Sequence, residues 1–168
     1  DGIASRGLGD VYKRQVDGGC GARDNGTPAP VRFVLFSDTH CLHDQLETLP
    51  AVDCAIHAGD CTNYGTLREL DAFLAWYGAT PPKRKLLIPG NHDMVLDAPY
   101  HAKYYADWGN DRPAPLADAV ALAAKHGVEL VVDAAVDVRG VRVFGSPWTV
   151  KHTPWSTGFQ IEAKHISQ

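Results

Sequence analysis

The sequence predicts an α/β fold, a sandwich of two sheets with mixed strand pairing. Three observations point there. Apolar runs rich in β-branched and aromatic residues end abruptly in polar turns at residues 31–40, 52–60 and 83–93, as strands covered on both faces do. A helical pattern separates the second run from the third, which implies a strand, helix, strand unit and a parallel pair. Beyond Gly127 strand composition returns around Arg139-Gly140, a turn signal that predicts a hairpin and therefore antiparallel pairing.

Taken in order, residues 1–30 are rich in Gly, Asp and Arg without an apolar period, so they read as a disordered tail. The opening DGIASRGLGDVYKRQ reads as a translated cloning scar. Residues 31–168 are expected to hold the folded part. There VRFVLF and VDCAIHA form the first two strands. Thr66 with Glu69 forms a capping box, followed by Leu67, Leu70, Phe73, Leu74 and Tyr77 at helical spacing, with Gly78 as the stop. KRKLLI is the third strand. Asp97 caps a short helix, and PLADAVALAAKHG reads as a helix with Leu116, Val120 and Ala123 inward and Gly127 at its end.

At 168 residues the chain has the size of one domain. Its 20 acidic and 16 basic residues give a net charge of −4 with scattered Lys and Arg, which argues against a nucleic-acid surface. Its apolar runs are too short for a helical membrane span, and no secretion signal is visible, so a cytoplasmic protein is expected. The four cysteines, Cys20, Cys41, Cys54 and Cys61, lack CxxC spacing and read as reduced packing residues.

Each early strand ends in metal-competent groups: Asp38-Thr39-His40, Gly59-Asp60 and Gly90-Asn91-His92. Ligands bind beyond the carboxyl ends of parallel strands, so two carboxylates, an imidazole and a carboxamide should converge there. Without a cation Asp38 and Asp60 would repel one another. Mixed oxygen and nitrogen donors suit a first-row divalent ion.

The ordered series SDTH, GD, GNHD resembles the first three signature motifs of the calcineurin-like metallophosphoesterase superfamily, over roughly residues 31–155. VRVFGSPWT with Gly158-Phe159 is also similar to its metallophosphoesterase-domain-containing subgroup, whose better-known members are phosphodiesterases. The resemblance implies an αββα two-sheet metallophosphoesterase sandwich, here truncated before its C-terminal part. It implies two divalent ions (Mn, Fe, Zn or Co): Asp38 and His40 hold the first, Asp60 bridges, Asn91 holds the second, and His92 is catalytic. The implied reaction is hydrolysis of a small phosphoester, with a nucleotide among the candidates and a diester favoured over a monoester, by a two-metal activated hydroxide attacking phosphorus.

Two departures qualify this. Many relatives carry an acid that orients the catalytic His where this chain has Asn63. The late lone His and the GHxH motif are not found before Gln168. The alternative is therefore a catalytically impaired metal-binding or interaction fragment without those late ligands. A metal-free nucleotide-binding module fits worse, because no Gly-rich phosphate loop follows a strand. Among the other histidines, His57 is expected in the core, His126 in a last helical turn, and His43 and His101 on polar turns or helix faces. His152 and His165 lack ligand context. Trp148 and Trp155 suggest either a substrate wall or packing against a further part of the domain.

Overall fold

The computed structural model describes residues 29–151 and 157–161. The expected scar and all but the last two residues of the expected tail, together with His152, Trp155 and His165, lie outside the described residues. The described elements belong to a unit running from Val31.

Four strands, β1 (Phe33–Phe36), β2 (Cys54–His57), β3 (Arg84–Leu87) and β4 (Glu129–Leu130), lie side by side in that order, every neighbouring pair parallel. The register sets Phe33 beside Cys54 and Leu86 beside Ile56, so these residues share one face. That face packs with Val131 and Val138 into the core, joined by Val136 and Val143 of the hairpin formed by β5 (Ala134–Val138) and β6 (Val141–Gly145). Arg139 and Gly140 turn this hairpin with φ of 53° and 86°, the pair of left-handed residues that matches strand twist. Parallel sheet, antiparallel hairpin and helices together form the expected mixed α/β sandwich.

The opposite sheet face is covered by α1 (Leu67–Ala79), which buries Leu70, Phe73, Leu74 and Tyr77. Its capping box forms as expected: Thr66 Oγ1 accepts from Glu69 N at 3.1 Å, and the Glu69 carboxylate accepts from Thr66 N. Gly78 does not stop the helix, which continues to Ala79. A Cβ at Gly78 would collide with the His126 carbonyl, so this glycine admits the end of α3 (Leu116–Lys125) instead. That close approach also corrects the inward face of α3. Ala119 and Ala123 are buried, whereas Leu116 and Val120 are 38% and 48% exposed. Small residues let two helices approach where larger ones would hold them apart.

Two further expectations change. β1 is an outer strand among those described, and Leu35 on it is 66% exposed, so it is not covered on both faces. His43 and His101 are buried rather than on polar surfaces. His43 packs against Phe73 and Trp76, and His101 lies on α2 (Ala98–Tyr104), which Asp97 caps through Tyr100 N at 3.1 Å. Past the hairpin, β7 (Thr149–Val150) pairs in parallel with β8 (Gln160–Ile161).

Candidate metal centre

The loops after β1 and β2 run side by side beyond the sheet. Asp38 N donates to Gly59 O at 2.9 Å, His40 N to Asp60 O at 3.0 Å and Cys41 N to Cys61 O at 3.1 Å. Keeping that ladder while turning outward requires left-handed backbone at Asp38 (φ 56°), His40 (41°), Cys41 (62°) and Asp60 (58°). Such conformations are costly for side-chain-bearing residues and concentrate at functional sites. The loop after β3 closes on the same place. A Cβ at Gly59 would lie 2.7 Å from Gly90 Cα, and one at Gly90 would strike the Asp60 carboxylate, so the two glycines let these loops touch.

Donor atoms of Asp38, His40 and Asp60 converge within 4.8 Å of one another. His40 Nε2 lies 3.9 Å from Asp60 Oδ2. Asp38 is exposed, while His40 and Asp60 are half-buried. Asp60 Oδ1 accepts from His92 N at 2.9 Å, which turns Oδ2 toward the His40 side. Asn91 Nδ2 donates to Thr157 Oγ1 at 3.2 Å, leaving its Oδ1 as the ligand-competent atom.

Both site histidines have their tautomers set by backbone. His40 Nδ1 lies 3.2 Å from Thr62 O, and His92 Nδ1 lies 2.9 Å from Asn63 O. A carbonyl only accepts, so Nδ1 carries the proton in each ring and Nε2 is left for a ligand or a substrate. The two rings meet edge to face with centroids 4.9 Å apart. Asn63, at the place where many relatives carry an orienting acid, acts through its backbone instead: its side chain donates to His40 O at 3.1 Å, and its backbone carbonyl holds His92.

Asp93 follows Asn91 and His92 in the turn after β3. Its carboxylate accepts from Gly90 N, Asp60 N and Thr62 N, each at 2.9 Å, and from Cys61 Sγ at 3.1 Å. Thr62 Oγ1 lies 3.0 Å from Asp93 Oδ1 and 2.8 Å from His92 O. Asp93 thus ties the second ligand loop to the third. Burial pushes its carboxyl up, opposed by the amides of Gly90 and Thr62. Burial first, then the Asp93 charge, raises the Cys61 thiol well above its ordinary value. Cys61 Sγ donates to Asp93 and is not among the converging donor atoms.

His57 is the expected core histidine. Gly59 N donates to its Nδ1 at 3.3 Å, so Nε2 holds the proton for Thr39 Oγ1 at 3.1 Å. Burial, reinforced by His43 and His40, lowers its pKa to about 3. His126 pairs with Asp71 at 2.8 Å just past the end of α3. Sequence reasoning missed four contacts at the site: the Thr62 and Asn63 carbonyls, Thr157 beside Asn91, and Trp108, whose ring centroid is 6.3 Å from that of His92. Only the left-handed turns had a sequence signal, in the Asp and Gly at strand ends.

The converging donors fit a divalent first-row cation: two carboxylates and an imidazole Nε2 fixed from behind. Residues 31–162 match the calcineurin-like phosphoesterase family, and the chain belongs to it. It is 33% identical over 139 residues to the human metallophosphoesterase domain-containing protein 1, covering 79% of this chain and 40% of that protein. A UPF0046 protein of Caenorhabditis elegans is 34% identical over 125 residues, 70% of this chain and 41% of its own length. The probable rhamnogalacturonate lyase C of Emericella nidulans is 36% identical over 135 residues, which are 80% of this chain but 12% of that protein. The chain thus spans about two fifths of the human relative.

Proposed function

We propose that this chain carries the metal ligands and the proton-handling histidine of a metal-dependent phosphoester hydrolase that prefers phosphodiesters to phosphomonoesters. The observation that carries this reading is the convergence of Asp38, His40 and Asp60 within 4.8 Å at the carboxyl ends of adjacent parallel strands. In this reading two divalent ions would be held, the first by Asp38, His40 and Asp60, the second by Asp60 and Asn91, with Mn, Fe, Zn or Co as candidates. Such ions, when bound, neutralise phosphoryl charge and acidify a water for attack at phosphorus.

The rest is done by the chain. The Thr62 carbonyl fixes His40 so that its Nε2 lone pair is available. His92 N steers Asp60, and the His92 ring, held through Nδ1, offers Nε2 for proton exchange with the leaving oxygen. Diester preference rests on the resemblance of VRVFGSPWT with Gly158-Phe159 to a subgroup whose better-known members are phosphodiesterases. A small phosphoester is the substrate, a nucleotide being one candidate. No described helix is long and apolar enough to cross a membrane, and the described cysteines are free, which supports a reducing, cytoplasmic setting.

The test is hydrolysis of bis(p-nitrophenyl) phosphate beside p-nitrophenyl phosphate by the purified chain with Mn²⁺. The diester should be cleaved faster, a chelator should stop turnover, and added Mn²⁺ should restore it. Turnover that survives complete metal removal would overturn the reading.

A further inference from the structure

A cavity of about 750 Å³ opens beside α1, with Tyr64, Glu69, Asp107, Trp108 and Asp111 in its wall. His92 is not in that wall, but one residue of the wall packs near it and another follows in sequence the residue that holds it. The Trp108 ring lies 6.3 Å from that of His92, and Tyr64 directly follows Asn63, whose carbonyl holds His92. Trp108 is fixed in turn, because its indole N–H donates to Tyr100 Oη at 2.8 Å.

The chemistry of the wall is selective. Three carboxylates face one guanidinium, that of Arg68. Glu69 is occupied by the helix cap, whereas Asp107 and Asp111 form no ion pair among the described residues. A second phosphate or other anionic tail would be repelled here. A neutral alcohol could donate a hydrogen bond to the carboxylates but would leave their charge unbalanced. An organic cation gains from both the acids and the aromatic rings. Asn110 also lines the cavity, its Nδ2 buried away from the opening.

We infer that this cavity receives the alcohol half of the substrate and that this half carries a cationic nitrogen, as in the phosphodiester of a short amino alcohol. Its role as a leaving-group pocket rests on the phosphoesterase reading. Cation binding does not, and the two are tested separately.

The experiment titrates the Mn²⁺-loaded chain with choline and with its uncharged isostere 3,3-dimethylbutan-1-ol, by calorimetry and ligand-observed NMR. Choline should bind at least roughly tenfold tighter than the isostere, the margin a desolvated cation gains over aromatic faces. Trp108→Leu should abolish that margin. Asp107→Asn with Asp111→Asn, both on exposed residues and so compatible with folding, should shrink it and remove its salt sensitivity. Equal affinity for the two ligands, no saturable binding of either, or a margin unchanged in all variants would overturn the inference. Cleavage of bis(p-nitrophenyl) phosphate, followed in parallel, isolates the other claim: turnover without a choline margin sinks the pocket alone, and a choline margin without turnover supports the pocket while sinking the hydrolase reading.

Discussion

Two aspartates flank the same buried strand and live in opposite electrostatic worlds. Asp53, just before β2, is buried and supplied with partners by the protein: Arg32 N at 3.0 Å, Arg139 Nη1 at 2.8 Å and Lys83 Nζ at 3.4 Å. The Arg32 amide, then Arg139, hold its carboxyl down to about 2. Asp60, beyond the other end of β2, has the His92 amide at 2.9 Å and the His40 ring at 3.9 Å, and it shares its corner with Asp38. One acid brings its own cations. The other sits where a cation must come from outside, on backbone that is left-handed at four nearby non-glycine residues. The amino end of the sheet is built for stability and the carboxyl end for chemistry.

The sharpest way to break this contrast is to neutralise each acid in turn. Asp60→Asn removes the carboxylate that serves both proposed ions, so metal affinity should fall by more than roughly 10²-fold, beyond the loss typical of mutating a ligand's supporting partner. Turnover should go with it, and the metal-free fold should be no less stable, since repulsion with Asp38 is relieved. Asp53→Asn should do the reverse, lowering the melting temperature while leaving metal affinity intact. Calorimetric metal titration beside thermal melts reads both. Equal metal loss in the two variants would erase the distinction.

The carboxyl-end chemistry can be sharpened further at His92. His92→Ala should slow diester hydrolysis by roughly 10²–10⁴, the range of a positioned acid or base, with metal content unchanged, because none of the converging donor atoms belongs to it. Metal analysis on the protein used for kinetics decides whether His92 handles protons or holds an ion.

Much of this was legible in the sequence because strand ends, turns and caps are local. The three polar endings, the Thr66 capping box and the Arg139-Gly140 turn depend on residues a few positions apart. What was not legible depends on partners far along the chain. The inward face of α3 is set by Gly78 of α1 meeting His126, so small Ala119 and Ala123 displaced larger Leu116 and Val120. His43 reads as polar until Phe73 and Trp76 close over it. The role of Asn63 could not be read because a backbone carbonyl, which every residue has, performs it.

Acid sensitivity separates the strand's two ends by pH. Buried His57 stays neutral until about pH 3 when folded but takes a proton near 6.5 when unfolded. Falling pH therefore favours the unfolded chain across that window, by up to about 1.4 kcal/mol per pH unit. Asp53 acts lower: its depressed carboxyl stabilises the fold above 3.8 and that contribution is lost as pH falls toward about 2. Denaturant melts should show His57→Gln flattening the upper part of the acid limb and Asp53→Asn only the lower part. The opposite assignment would mean that the two groups had been confused.

The smallest effect expected is at Asn63, and it tests how the site is supported. If the side chain substituted for an orienting acid, Asn63→Ala would free the His92 ring and cost as much as removing a catalytic partner. The amide instead donates to His40 O at 3.1 Å, while the residue's own carbonyl, retained in any substitution, accepts from His92 Nδ1 at 2.9 Å. What is lost is one half-buried hydrogen bond to the loop that carries His40, worth about 1 kcal/mol. Asn63→Ala should therefore lower stability by about that amount and diester turnover by less than about tenfold, with part of the change appearing as weaker metal affinity through His40. Asn63→Pro, by contrast, constrains the carbonyl's own backbone and should cost far more. A loss of turnover in Asn63→Ala comparable to that of His92→Ala would show that the amide, not the backbone, governs the histidine.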